Sequence, residues 1–459
     1  MKKILLYTLA VMTIGSGCRK TYNDTIQGQT PDQRVAAALT AYKQKLTSAP
    51  YGWIFLESTT GTAYNQGVSQ TGPKIVLAYY MQFTDSGRVT MLSDFDPTMA
   101  AIPKTSSYNV KELTRPALIF DTYNYLHVPC DPDPNVSHSP FGFGYGWGTD
   151  FEYSFSDSVA ATSLGDTIRL IGNLNSAQGM LIKATQQQRD AYLNGNVQNL
   201  MVGASNLNNI LEYFKRLSLG GVSYEIRFDA VNRTITFTWV DASGAIKTST
   251  VSYYITSTRI MFSSPIVNGN QKITGIDNLS WNAGSSTLTV TIGGQQGTVT
   301  GAAAPIQVDA GAAARWWNYG VNNGYFWASG YGFHVNGVDD AYGVRQLTDS
   351  GRVFYYYAYW PGYYSNPLDR FRPIVLGNNG LYWNSYGTVS NPPLYLSDGR
   401  AVFTKFTDQG TVPPGGPVAK SDATLYNSAG YYFIQNGEKN YDMVLATDAR
   451  TWISWFWPR

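Results

Sequence analysis

Apolar positions along this chain follow two periods, and the change between them divides the sequence. Val35, Leu39, Tyr42 and Leu46 recur at helical spacing and define one apolar face. Thr30 is placed to cap that helix, Pro31 sits in its first turn, and Pro50 and Gly52 end it. Beyond Gly52 the period shortens to two. Val89 and Met91 share a face after the turn "TDSG". Phe151, Tyr153 and Phe155 alternate with polar residues; Ile235, Phe237 and Trp239 do the same, and so do Leu288, Val290 and Ile292. A helical interruption is expected from about Thr185 to Leu217, with Leu207, Ile210, Leu211, Phe214 and Leu217 as its stripe and Gly195 as a break.

These elements predict a mainly β protein (α+β overall) of antiparallel β-meander modules, with an N-terminal helix and a helical segment between modules. The expected division is an N-terminal helix plus first β module over 31–183, a helical connector over 184–218, a second β module over 219–300 and an aromatic-rich C-terminal β module over 301–459. The order of turns and strands in the second module follows that of the first, which suggests a tandem repeat of one meander. "TDSGRV" occurs at both Thr84–Val89 and Thr348–Val353, and reads most simply as one good hairpin turn used twice.

The N-terminus has a different order. Met1-Lys2-Lys3 precedes the apolar run Ile4 to Ile14, too short to span a bilayer, and small residues lead into Cys18. This resembles a lipoprotein signal peptide: residues 1–17 would be removed, Cys18 lipidated, and 18–30 would form a flexible tether. Gly15 departs from the usual lipobox, which prefers Leu there. Removal of 1–17 takes away two lysines and no acids, leaving 31 basic against 31 acidic residues. A neutral chain has no general attraction for nucleic acid, and none is expected as a partner. With Cys18 acylated, Cys130 is the remaining thiol and no intrachain disulfide can form.

Composition adds rings. Aromatic residues make up 14% of the chain, as many as all charged residues together, so ring chemistry outweighs ionic chemistry. In "RVFYYYAYW", period two puts Val353, Tyr355, Tyr357 and Tyr359 on one face and Phe354, Tyr356 and Trp360 on the other. An antiparallel sheet with one wet face should not carry rings on both sides. Either both faces are covered, or one presents rings to a ligand, a task that suits Tyr and Trp. Tyr363 and Tyr364 follow in a turn, Tyr145 and Trp147 sit between glycines in another loop, and Trp383 and Tyr386 lie near a third. Trp147, Tyr356, Trp360, Tyr363 and Tyr364 are the candidate ligand-binding residues, for a glycan or a peptide.

Reactive chemistry is sparse. "HVPCDPDPNVSH", His127 to His138, gathers two histidines, Cys130, Asp131 and Asp133. As a zinc site it lacks a second cysteine. As a calcium loop it has Val136 where Gly is needed and Gly142 where Glu is needed. Two prolines mark it instead as a turn-rich connector. "GFGYGWG", Gly142 to Gly148, has no lysine and leads into a strand, unlike a phosphate-binding loop. No H-E-x-x-H, G-x-S-x-G or Walker sequence occurs. No catalytic residue, metal ligand or cofactor is assigned, although scattered carboxylates could pair in space as in a glycosidase.

"PALIFDTYNYLHVPCDPDP", "TDFEYSF" and "DTIRLIGNLNSAQGMLIKAT" resemble the core motif of a family of Bacteroidetes-type lipoproteins known only as a domain of unknown function. The resemblance extends over 31–459 and is specific over about 50–185. It implies a lipid-anchored protein at the outer membrane, encoded beside a TonB-dependent transporter and its lidding lipoprotein, with a zinc metallopeptidase as an occasional neighbour. It supplies no catalytic residues. The expectation is therefore a non-catalytic accessory of nutrient capture that binds oligosaccharide or peptide through rings, anchored to the membrane at Cys18. The alternatives are a structural subunit of an uptake complex and an uncharacterised hydrolase. A contiguous patch of exposed rings distinguishes the first from a broad apolar interface and from a cleft with facing carboxylates.

Overall fold

The computed structural model describes residues 29–156 and 165–459. The expected signal peptide and Cys18 lie outside the described residues. The helix Pro31–Thr47 opens with a capping box: Gln33 N donates to Thr30 Oγ1 (3.3 Å) and Thr30 N to Gln33 Oε1 (3.0 Å). Its buried face includes Tyr42 and Leu46, with Tyr42 stacked on Phe155 at 3.9 Å.

The fold is mainly β, built of antiparallel sheets. The chain divides into two compact units. The first contains the chain up to Thr71, Tyr80–Met91 and Lys104–Gln186; the second contains Gly72–Tyr79, Leu92–Pro103 and Gln187–Arg459. The first sheet has nine described strands, with its first strand, Trp53–Ser58, against its last, Gln178–Lys183. The second sheet also has nine, with Phe214–Leu219 against Gln295–Ala302. Both are up-and-down meanders whose ends meet. They open at different links: after Lys104–Ser107 in the first and after Gln271–Ile276 in the second. In the second sheet Ile235, Phe237 and Trp239 are buried as alternation requires, while Thr236 pairs with Thr250 and Thr238 with Thr248 through their hydroxyls.

Between these sheets along the chain come the helices Gln186–Leu193 and Asn196–Ser205, separated at Gly195, whose φ is +77°. The expected stripe through Leu217 is not formed. The helical path ends at Asn209, and Phe214–Leu219 is a strand burying Phe214, Leu217 and Leu219. Apolar residues three and four apart fit both a helix face and two short, successive elements. Pairing with Val222–Asp229 and Gln295–Ala302 selects the strand.

The third sheet has thirteen described strands and carries a large aromatic core. The helix Ala312–Asn323 sends Trp316 into it, and Pro417–Leu425 contributes Val418 and Leu425, against Trp327, Tyr357, Tyr359, Phe371, Tyr431 and Trp455. Asp422, on the second of these helices, is also buried, accepting from Thr388 Oγ1 at 3.2 Å. Burial pushes its pKa up to about 7. The folded state therefore holds this proton above the pH at which the unfolded chain releases it. Stability contributed here is complete below about pH 4 and is lost as pH rises through 7, on the order of 1 kcal/mol per pH unit. Asp422→Asn is expected to flatten that slope and raise stability at pH 8, measured by urea unfolding from pH 4 to 8.

Candidate functional site

The two faces of the third sheet differ. Arg352–Trp360 lies between Trp327–Ser329 and Asp369–Gly377. Its register opposes Phe354 to Val375 and Tyr356 to Ile374, so Tyr355 is an extra residue in a β-bulge. The bulge shifts the alternation. Phe354, Tyr357 and Tyr359 pack toward the core, whereas Tyr356, Ala358 and Trp360 face the opposite side. Strict period two placed Phe354 with Tyr356 and Trp360; the bulge corrects that phase, and Tyr355 is left 41% exposed.

The outer face gathers rings around Trp360, which is only 6% exposed. Tyr363 stands edge-on to it at 5.1 Å, Tyr364 is 5.2 Å away, and Trp383 lies tilted at 5.9 Å. Tyr325 and Phe326 flank it at 5.4 Å and 5.6 Å. Tyr356 continues the patch against Phe456 at 5.3 Å. No α-helix contributes to this cluster, so the rings cover one another and are partly open to solvent. Tyr364 is 74% exposed.

The loop carrying Tyr363 and Tyr364 is held from below. Asp369 is fully buried; its Oδ2 accepts from Trp317 Nε1 (2.8 Å) and Tyr359 OH (2.7 Å), and its Oδ1 from Gly362 N (2.7 Å). Burial raises its pKa against the lowering effect of these three donors. Leu368 N also donates to Asn366 Oδ1 at 3.0 Å, and Asn366 N to Tyr363 O at 3.0 Å. Within this framed loop Tyr364 adopts φ 48°, ψ 48°, a left-handed conformation that costs a non-glycine residue energy.

Four of the five candidate ring residues thus come together: Tyr356, Trp360, Tyr363 and Tyr364. Trp147 does not join them. It belongs to the first unit, is 2% exposed, and donates from Nε1 to Ser137 O at 2.7 Å. Its ring holds down the Pro134–Ser137 turn.

Concavities also lie elsewhere, two of which bear on the candidate chemistry. One, of about 450 Å³ in the first unit, is walled by Cys130, Asp150, Asn173 and Asn175 from the stretches that resemble the lipoprotein motif. Its polar groups serve the fold. Asp150 accepts from the backbone N of Leu174, Asn175 and Ala177, and Glu57 accepts from Asp150 N and Tyr153 OH. Burial pushes the Cys130 thiol well up, away from the thiolate a nucleophile needs. Gly146 and Gly148 pass so close to Pro129 O and Thr62 O that a Cβ would stand 2.4 Å and 2.3 Å away, so this glycine-rich loop serves close packing. Asp133 caps the turn that follows it, and Asp131 Oδ1 accepts from Asp133 N at 2.9 Å. Among the described residues no group of three His, Cys, Asp or Glu side chains is arranged to hold a metal ion.

The other, of about 620 Å³ in the second unit, is a polar seam. Tyr213 OH donates to Asp442 (2.7 Å), Glu225 accepts from Ile306 N (2.8 Å), and Lys215 Nζ donates to Ile210 O (2.8 Å). Burial pushes Lys215 down to about 8.

Residues 23–283 match the family described as Domain of unknown function (DUF4302), more than half of the chain. The chain belongs to the DUF4302 family. The family is defined by no known chemistry, and the match ends before the ring face, so the DUF4302 span contains the first unit's cavity and not the Trp360 cluster. None of the curated proteins matches this chain. A solved Vibrio parahaemolyticus domain assigned to outer membrane lipoprotein sorting is similar at 9% identity over 58% of this chain and 90% of its own, with a TM-score of 0.10. A likeness that low carries no argument. Among the described residues no helix is long and apolar enough to cross a membrane.

Sequence reasoning named Trp383 as a loop ring without joining it to the cluster, and passed over Tyr325, Phe326, Phe456, Arg370 and Arg372. The arginines carry no periodic signal, and only cross-strand register brings them to this face. Asp369→Ala would take the acceptor from one buried and two part-buried donors and is expected to cost about 2–4 kcal/mol, with Asp369→Asn costing less. Urea unfolding followed by tryptophan emission, which also reports loosening of the rings, checks this.

Proposed function

We propose that this DUF4302 protein is a lipid-anchored, non-catalytic accessory of nutrient capture at the outer membrane, and that it binds oligosaccharide on the ring face of its third sheet. The observation that carries the reading is the half-open cluster of Tyr363, Tyr364 and Trp383 around Trp360, on the side of the sheet away from its core. Sugars present C–H faces that lie against such rings, with hydroxyls at the rim to fix orientation. The strained backbone at Tyr364 also fits a ring held ready rather than one settled for stability alone.

The anchor rests on the order of charged, apolar and small residues ahead of Cys18. A TonB-dependent transporter and its partner lipoprotein are the proposed company at the membrane. Cys18→Ala is expected to move the protein from the membrane to the soluble fraction; retention in the membrane pellet would count against lipidation.

Ligand binding is tested with a panel of polysaccharides and peptides. Trp383→Ala and Tyr364→Gly are each expected to weaken glycan binding about fivefold or more, a loss of roughly 1 kcal/mol. Tyr364→Gly should do so without lowering thermal stability, because glycine accepts positive φ freely. A protein that binds peptides and no glycan in this panel would overturn the reading.

A further inference from the structure

Two arginines rise among the rings. Arg370 is the cross-strand partner of Trp360, and Arg372 that of Ala358, so both belong to the outer face. The Arg370 guanidinium lies 4.8 Å from the Tyr363 ring centre, and that of Arg372 lies 5.9 Å from Trp383. Arg372 is built in: a Cβ on Gly387 would come within 2.4 Å of its Cγ, so the neighbouring strand leaves its stem a groove. Its Nε donates to Asn384 O at 2.5 Å, which orients the planar fork.

Neither arginine has an ion-pair partner among the described residues, although seven other arginines do. Arg370 donates from Nη1 to Asp369 O at 3.2 Å, and its buried Nε has no partner. Among the described residues, both Nη groups of Arg372 and Nη2 of Arg370 meet no protein acceptor. The nearby carboxylates act on the arginines only from beyond ion-pair distance, Arg370 lowering the pKa of Asp369 and Asp349 raising that of Arg372; Asp369 is hydrogen-bonded by Trp317, Tyr359 and Gly362, and Asp349 accepts from Ser385 N at 2.6 Å. The two guanidiniums also act on one another: burial lowers the pKa of Arg372, Tyr363 opposes it, and Arg370 lowers it further against a smaller raising effect of Asp349. Like charges two residues apart on one strand face are costly unless an anion lies between them or over them. Guanidinium suits that anion, because it is weakly hydrated, stacks on rings and grips carboxylate or sulfate with two parallel bonds.

We infer that the oligosaccharide taken by this face is acidic, its sugar rings lying on Tyr363, Tyr364 and Trp383 and its carboxylate or sulfate pairing with Arg370 and Arg372. The inference rests on the glycan reading above and narrows its substrate class.

The test is a glycan array of neutral, uronate-bearing and sulfated oligosaccharides probed with the purified full-length protein. Titration of the hits follows, with the parent, Arg370→Gln, Arg372→Gln and Arg372→Lys, at about 50 and 500 mM salt. Hits should be confined to acidic glycans, the uronate and sulfate arms showing which anion is preferred. Each Gln variant should lose about tenfold in affinity with its melting temperature kept, Arg372→Lys should lose less, and high salt should weaken binding. Preference for neutral glycans, or Gln variants that bind acidic glycans as tightly as the parent, would overturn the inference and leave the glycan reading standing. Binding to no glycan of either charge would overturn both, and Arg372-dependent binding of polyglutamate alone would replace them with an acidic peptide. Should a Gln variant fail to fold, salt-independent binding by the parent protein would still overturn the inference.

Discussion

The ring face depends on one buried carboxylate. Asp369 opens a central strand of the third sheet and takes donors from three elements: the indole of Trp317 on a helix, the hydroxyl of Tyr359 on the neighbouring strand, and the amide of Gly362 in the ring-bearing loop. Burying a carboxylate is costly, and the three hydrogen bonds offset the cost only while all three elements hold position. Core packing is thereby coupled to loop geometry. Trp316, next to Trp317, is fully buried in the core, and Trp360, next to Tyr359, lies at the centre of the ring cluster.

The same device recurs within each unit. Asp150 gathers the backbone amides of Leu174, Asn175 and Ala177 in the first. In the second, Asp94 accepts from Ala78 N and Ile255 N and pairs with Arg233, both partners almost wholly buried. In a chain with few charges, buried carboxylates act as fixed points for loops and strand ends. This explains why clusters of acids and glycines here resemble active sites without having free reactive groups. Cys130 follows the same rule, its thiol placed against Leu126 O and Thr149 Oγ1 and kept protonated by burial.

The outer face of the third sheet is different because its unengaged polar groups stand beside half-open rings. Trp360 Nε1 and Arg370 Nε are buried without partners, and among the described residues neither Arg370 nor Arg372 has a carboxylate within ion-pair distance. A stable sheet would ordinarily cover such a face with a helix or dilute its rings with charge. Here two guanidiniums stack on half-open rings, an arrangement better matched to a flat, hydrogen-bonding ligand than to an apolar protein surface.

By itself, the sequence determined the elements whose signals are local. The Thr30 cap, the break at Gly195 and the alternation of Ile235, Phe237 and Trp239 follow from steric and hydrogen-bonding preferences within a few residues, and they suffice for a mainly β chain with helices at two places. Ring density in Arg352–Trp360 likewise marked a two-sided strand. Tertiary structure decided the rest. Phe214 and Leu217 became strand residues because neighbouring strands offered them hydrogen-bonding partners that an isolated helix could not match. The bulge at Tyr355 moved Phe354 to the core face with Tyr357 and Tyr359, and a bulge is set by pairing with Asp369–Gly377 rather than by the strand's own residues. Trp147 was left in a buried loop, while Arg370, Arg372 and Trp383 were brought to Trp360. Local periodicity reports which side of an element is apolar; it carries no information on which other elements that side will meet.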